Sequence, residues 1–533
     1  MEKQYTNTPG DEPKLDTVAK MSRDDDLGQV LDFEVTPGDE KKVLRKLDIV
    51  LIPLMGVCYM MQYMDKLALS QATLFGLRAD LNLVGDQYSW ASAIFYFGYF
   101  AWSWPSSYLM VRFPLAKYIS VSIIVWGGAL MCHAACHNYG GIITARFFLG
   151  VGEASVAPGF ALIVSMFYKR EEQPSRQAAW WFGNCIANLI GGVVAYGIGN
   201  IGVSTINSWQ LLFLFLGAIT CALGFVTLIL LPDRTENTIF LKKTERKIAH
   251  QRILKSKAGS NQTGVFVWNQ AWLALRDPQT WCLFLYTFTV NLCNGGLTSF
   301  NAIIIQGFGF SALRSLLMQM PMGAAQIIFL LITVSVATFV PKTRILMMIF
   351  NTSVSMIGMI LVWQLDENNQ KGRLTGLSLA AVFACNIPLA LSLIASNVAG
   401  FTKRSVTSAL IFVAYCVGNI VGPQMFLESE EPQYDVCSSH PSFLHPLSLK
   451  STQHHLCISQ SKTNNLQTGM AASVAGLALG IFFLTCLLVY YIWENKRRDA
   501  KYGTPVESSD AQAIAEGMSD KTDLEIESFR YML

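Results

Sequence analysis

The chain has 533 residues, 52% of them hydrophobic and only 14% charged, with a net charge of +3. Soluble domains carry about 25% charged residues, so this composition excludes a string of water-soluble domains and points to a chain embedded in lipid. The net charge itself says little, because its distribution matters more than its sum, and no nucleic-acid partner is expected. The 12 cysteines fall mostly in apolar stretches, where cysteine acts as a small hydrophobe and implies no disulfide framework.

Residues 1–46 are polar, hold Asp24, Asp25 and Asp26 in a row, and read as a disordered cytoplasmic tail without a signal peptide. Six apolar stretches follow at about 47–66, 88–110, 118–137, 142–165, 179–201 and 210–231. Each approaches or exceeds the ~20 residues that cross a bilayer core. A basic linker, 232–279, separates them from six more at about 280–303, 315–340, 345–363, 374–396, 405–427 and 470–493. Within the linker, apolar positions from Phe240 to Ile253 recur at helical spacing and predict a short amphipathic surface helix. Residues 494–533 form a second cytoplasmic tail. The predicted fold class is an all-α membrane protein with 12 transmembrane helices in two pseudo-symmetric six-helix bundles, 47–231 and 280–493.

With both termini inside, the inner segments carry 26 Lys and Arg. The outer loops carry six: Arg78, Arg314, Lys371, Arg373, Lys450 and Lys462. Positive charge stays on the cytoplasmic side, so both termini are expected there.

One loop breaks the internal symmetry. Residues 428–469 make 42 positions where the equivalent loop, 202–209, has 8. The loop holds His440, His445, His454 and His455 between Cys437 and Cys457, at a spacing that matches no standard zinc pattern, so no metal is expected. We read 436–467 as an in-frame translated intron, because Val436-Cys437 fits a GT-rich donor and Leu466-Gln467 an AG end. Lys462-Thr463-Asn464-Asn465 fits a branch sequence between them.

Four ionisable residues lie where lipid-spanning segments should have none: Asp65 beside Lys66, and Arg146 seven positions before Glu153. A charge at the bilayer centre costs at least ~2.5–3.5 kcal/mol, so such residues usually face a wet cavity on a substrate or ion path. Seven positions are two helical turns, which place Arg146 and Glu153 on one face about 10 Å apart along the axis. The planar guanidinium fork suits a carboxylate, and desolvation favours the neutral form of a carboxylic acid, as a proton carrier requires. A structural ion pair tying the first helix to the fourth is the alternative. Asp65 and Lys66 diverge by about 100°, so one can face the cavity while the other serves a gate.

Embedded amides occur at Asn184, Asn188, Asn291, Asn294, Asn301 and Asn386. Such groups often join helices, and Asn184 and Asn301 are also ligand candidates. His133 and His137 share a face at the end of the third stretch and read as interfacial. The Gly191-Gly192 run lies inside a span and follows no strand, so it reads as close helix packing and not as a phosphate loop. No nucleophile, metal or cofactor pattern emerges, so no enzyme is expected.

Several stretches together carry a family likeness. They are Tyr63-Met-Asp65-Lys66-x-Ala-Leu-Ser70, Tyr88-Ser-Trp-Ala-Ser-Ala-Ile-Phe-Tyr96-Phe-Gly-Tyr99, Arg146-Phe-Phe-Leu-Gly150-Val-Gly-Glu153, Ser396-Asn397-Val-Ala-Gly400 and Tyr415-Cys-Val-Gly418-Asn419. Through them residues 45–500 resemble the allantoate permease-like group of fungi, in the anion:cation symporter branch of the major facilitator superfamily. The insertion 436–467 is outside the pattern. The loop Leu109-Met-Val111-Arg112-Phe-Pro-Leu-Ala-Lys117 keeps the basic gating candidates Arg112 and Lys117 but has Val111 where an Asp is usual.

The resemblance implies a monomeric plasma-membrane symporter that moves a small organic anion by alternating access. The group's substrates include allantoate, nicotinate and related vitamins or nitrogen sources. The proton gradient drives it, and no cofactor is needed. By the same likeness Asp65 and Glu153 carry the proton, while Arg146 with Lys66 holds the anion. Lys66 departs from the Arg that many relatives have there. Tyr63, Tyr96 and Asn419 are secondary candidates for cavity hydrogen bonds. An exporter of acidic metabolites and a nutrient receptor without flux are the alternatives.

Overall fold

The computed structural model describes residues 36–169, 172–201, 206–257, 266–366, 368–426, 467–503 and 522–533, which are helical nearly throughout. The polar stretch 1–35 lies outside the described residues, as does the reading of 436–467 as an intron product, apart from Gln467 at the start of the last helix.

Each predicted span coincides with a helix. The first six are α1 Pro37–Thr73, α2 Gln87–Arg112, α3 Leu115–Cys132, α4 Tyr139–Phe167, α5 Gln173–Gly199 and α6 Ser208–Leu230. The second six are α7 Pro278–Gly307, α8 Ala312–Phe339, α9 Arg344–Gln364, α10 Gln370–Asn397, α11 Phe401–Val421 and α12 Gln467–Tyr502. By length and apolarity α3 to α12 can each cross a membrane. The remaining two, α1 and α2, are 37 and 26 residues long and pack in the same bundle.

Local signals set the ends. The Thr36 hydroxyl accepts the Asp39 N–H at the start of α1, and Asn138 caps α4 through the Gly141 N–H. Asn207 and Gln210 form a reciprocal capping box on α6. Inside α4 the regular helix ends at Glu153 and resumes at Val156, so Glu153 stands at a helix C-terminus within the bundle.

The packing repeats with a shift of six helices. In the first half α1 pairs with α5, α2 with α4 and α3 with α6; in the second α7 pairs with α11, α8 with α10 and α9 with α12. The halves meet where α5 faces α8, α2 faces α11 and α1 faces α7. Hydrogen bonds across this seam join neutral groups: Gln71 to Gln319 at 3.0 Å, Tyr88 Oη to the Ser299 carbonyl, and Asn188 to Gln326 at 2.8 Å. The Gly191-Gly192 run serves this contact, since a Cβ on Gly192 would stand 2.0 Å from the Leu316 carbonyl oxygen.

The linker contains the helix Lys243–Lys257, which buries Ile248, Ala249 and Ile253. Its Arg252 reaches both Glu40 on α1 and Glu172 at the start of α5, and its Glu245 accepts from Lys46 at 2.6 Å. The Lys46 ammonium holds the Glu245 carboxyl below its ordinary range. The second tail is packed in part: α12 runs on past residue 493 to Tyr502, and Thr522, Asp523 and Tyr531 are buried.

Candidate functional site

Glycines bring the site together. A Cβ on Gly150 would lie 2.0 Å from the Phe95 carbonyl oxygen, and one on Gly98 2.2 Å from that of Phe147. Only glycine allows α2 and α4 this close, and the approach delivers Arg146 to the α2 backbone. Its Nε donates to the Ala91 carbonyl at 3.2 Å, and its guanidinium carbon sits 5.5 Å from the centre of the Phe95 ring. The side chain is buried, and its Nη1 has no hydrogen-bond partner.

Two turns further along α4, Glu153 is fully buried and meets Lys66 of α1, with Nζ 3.4 Å from Oε2. The position of Glu153 at a helix C-terminus adds a partial negative charge that also favours the ammonium. Lys66 packs 5.3 Å from the Phe95 ring centre and 5.8 Å from that of Tyr99. Phe95 is therefore shared by both cations. A ring stabilises a cation through its quadrupole but does not cancel its charge.

Asp65 turns the other way. It is fully buried beside the Trp126 indole, and neither of its oxygens completes a hydrogen bond of normal geometry. Gln62 plays the neighbouring role for Glu153, whose oxygens also lack a normal hydrogen bond. Buried polar groups are nearly always satisfied, so a cluster of unpaired charged groups marks a place where something else binds or where protons are held. The arrangement can accept an anion at the open edge of Arg146 and let Lys66 exchange one carboxylate partner for another.

The remaining candidates divide. Tyr96 is buried and meets Tyr415 of α11 edge-on at 5.9 Å, so it lies in the wall between the halves. Tyr63 is half-buried near Asn188 and Thr298. Buried Asn184 has an unpartnered Oδ1, and both polar atoms of buried Asn301 are unpartnered. These two amides keep hydrogen-bonding capacity to offer.

Asn419 does not. It donates to Asn291 and the Tyr415 carbonyl and accepts from Asn294, so its amide is consumed in joining α7 to α11. Asn386 is likewise spent, on Asn351, Tyr286, Met348 and Thr352. His133 is not interfacial either: it is fully buried, bonded to the Ala129 carbonyl and stacked near Phe213 at 4.9 Å.

In the signature loop Arg112 is exposed, and Lys117 engages through its backbone. The Ala116 and Lys117 N–H groups donate to Asp233 Oδ1 at 2.8 and 3.3 Å. Asp233, from the segment after α6, thus satisfies the N-terminus of α3. Sequence reasoning missed Asp233 and Phe95. An acidic residue just past an apolar stretch was the available signal for the first; an aromatic in an apolar helix carried none for the second.

The sequence model of the Major Facilitator Superfamily matches residues 55–423. The chain belongs to the major facilitator superfamily. It is 33% identical over 523 residues to an uncharacterized transporter of Schizosaccharomyces pombe, a match covering 98% of this chain and 92% of the relative. It is 31% identical over 534 residues to the allantoate permease of Saccharomyces cerevisiae, covering 98% of this chain and 90% of that one. Among solved structures, a bacterial homolog of the human lysosomal transporter Spinster superposes with a TM-score of 0.59 at 13% identity, covering 86% of this chain and 99% of that one. This protein is a multi-pass membrane transporter, not an enzyme, and its charged cluster lies wholly within the first half of the superfamily fold.

Proposed function

We propose that the protein imports a small organic anion together with protons, by alternating access of the two halves. The observation that carries this reading is Arg146: a buried guanidinium held by a carbonyl and a ring, with Nη1 unpartnered. A buried cation without a counter-charge is costly, and a substrate carboxylate would supply the missing charge. Lys66 is the second anion contact. Its ion pair with Glu153 supplies the coupling: when Glu153 takes a proton, the ammonium is released to the substrate, and the net charge of the site is conserved. Asp65 is the second proton carrier. Tyr63, Asn184 and Asn301 meet the uncharged part of the substrate.

The allantoate permease relative makes allantoate the first substrate to test. We take the membrane to be the plasma membrane, as for an importer of external anions, and on the loop charges we expect both termini in the cytoplasm. We read it as a monomer, because one chain supplies both halves. The bundles 47–231 and 280–493 rock about the site, joined by 232–279.

The test is uptake of a labelled carboxylate panel by cells lacking endogenous carriers, in acidic and in neutral medium. Acid-stimulated uptake that disappears in Glu153→Gln supports the reading. Binding without uptake, or net efflux of the same compounds, would replace it with a receptor or an exporter.

A further inference from the structure

Another buried charged cluster lies at the linker-side end of the second half. Lys403, near the start of α11, has no exposed side-chain surface. Its Nζ stands 2.5 Å from Asp277, which caps α7, and 2.7 Å from Asp523, which belongs to the segment 522–533 beyond α12. The first half has the matching pair without the extra carboxylate: Arg176 of α5 meets Asp48 of α1 through Nε at 3.2 Å and Nη2 at 2.9 Å. Since α5 and α1 correspond to α11 and α7, Lys403–Asp277 is the counterpart of Arg176–Asp48, and Asp523 is an addition to the shared plan.

A second buried carboxylate around one ammonium leaves a net negative charge, which needs donors. They are present. Gln279 Nε2 donates to Asp277 at 2.7 Å and to Asp523 at 3.2 Å, and the Tyr531 hydroxyl donates to Asp523 at 2.8 Å. The end of the segment is held as well. Met532 and Asn397 exchange two hydrogen bonds of 2.8 Å, tying the segment to the end of α10, and Tyr531 exchanges two with Asn495 of α12. Just before its last turns α10 passes through a 3₁₀ stretch, Ala381–Asn386, a geometry that often marks a hinge.

We infer that residues 522–533 are a built-in strap, docked through Asp523 into a socket on the second half, and that the docked strap makes the linker-side ends of α7, α10, α11 and α12 move as one body. With the strap in place, the segment of α10 beyond its 3₁₀ stretch cannot swing independently of α12. Without it, Asn397 loses both bonds to Met532 and keeps only its contact with Tyr491 of α12, and the hinge bends more freely.

Two substitutions in the full-length purified protein separate docking from charge count. Asp523→Asn and Asp277→Asn each leave Lys403 with one carboxylate, but only the first removes the anchor of the strap. Trypsin cleavage after Arg530, followed by mass spectrometry, reports the undocked fraction and requires no substrate, so its outcome is independent of the transport reading. Losing a charge-assisted bond should raise the cleavage rate of Asp523→Asn by about 10- to 100-fold. Asp277→Asn should raise it by less than about 3-fold, because Lys403 and Asp523 still pair. The exchange Lys403→Asp with Asp523→Lys retains one cation between two carboxylates and should return the rate to within about 3-fold of the parent. Tyr531→Phe, which keeps every charge, should give a smaller rise than Asp523→Asn. Equal acceleration by the two Asn variants, acceleration by neither, or no recovery in the exchange overturns the strap.

Discussion

In the first half, four charged side chains are buried or part-buried on α1 and α4, two of them, Lys66 and Arg146, against Phe95, and several of their polar atoms are unpaired. In the second half, α7 has no Asp, Glu, Lys or Arg between Pro278 and Gly307, and the buried charges described gather at the linker-side end around Lys403. Many of the buried amides and hydroxyls between the helices satisfy one another, Asn301 excepted. Asn386 shows the contrast best. It accepts from Asn351 at 2.9 Å and donates towards Tyr286, Met348 and Thr352, each at 3.0 Å. The same helix-pairing plan therefore supports two chemistries. Unpaired charge is expensive and retained only where a ligand or proton will complete it, whereas paired neutral amides give rigidity without that cost. The difference teaches that buried charge without full pairing is concentrated on α1 and α4, while amides on α7, α9, α10 and α11 are spent on one another.

Variants that transplant or remove these features test the contrast. The largest effect is expected from Arg146→Met, which keeps the volume and removes the fork: uptake should fall at least ~100-fold while folding survives, since a lost buried charge contact costs about 2–5 kcal/mol. Uptake within a few-fold of the parent would mean that the anion binds elsewhere. Next comes Glu153→Gln. It should abolish acid stimulation, lowering uptake in acidic medium by about 10-fold or more, yet retain exchange of labelled for unlabelled substrate across the membrane. Persistent acid stimulation would move the proton to Asp65 alone.

In the second half the signature should be stability, not chemistry. Asn386→Leu leaves Asn351 with Thr333 as its remaining partner, removes the donor to Tyr286, Met348 and Thr352, and should cost about 1–3 kcal/mol in thermal unfolding, with an unchanged KM in whatever protein remains folded. A raised KM at parental stability would place Asn386 in the substrate path and dissolve the contrast. The smallest effect is expected at the shared ring. Phe95→Leu retains the apolar volume and removes the quadrupole, worth roughly 0.5–1 kcal/mol at each cation, so KM should change by about 3- to 5-fold. A change in thermal stability with an unaltered KM would reduce Phe95 to ordinary packing.

How much of this was legible without coordinates depended on the range of the interaction. Asp65, Lys66, Arg146 and Glu153 stood out because charge in an apolar run is costly wherever the chain goes. Phe95 did not, since a ring beside two cations looks the same in sequence as a ring in a core. Asn419 stayed open between cavity and helix packing for the same reason: an amide becomes a ligand or a helix clasp according to its neighbours, and those neighbours, Asn291 and Asn294, sit on another helix. Asp233 caps the start of α3 from more than a hundred positions away. The segment around Asp523 is short and polar, so nothing in its composition announces burial.

The sequence by itself determined the number and approximate place of the spanning helices and which residues pay for being in lipid. These are local quantities, read from apolar run length and from the transfer cost of single groups. Which of those residues meet, which amides remain unspent, and that a distant polar segment returns to share Lys403 with Asp277 were decided by tertiary structure alone. Partnership between polar groups is a property of distance in space, and the close approach that glycine permits between α2 and α4 brings Arg146 within bonding distance of residues more than fifty positions away.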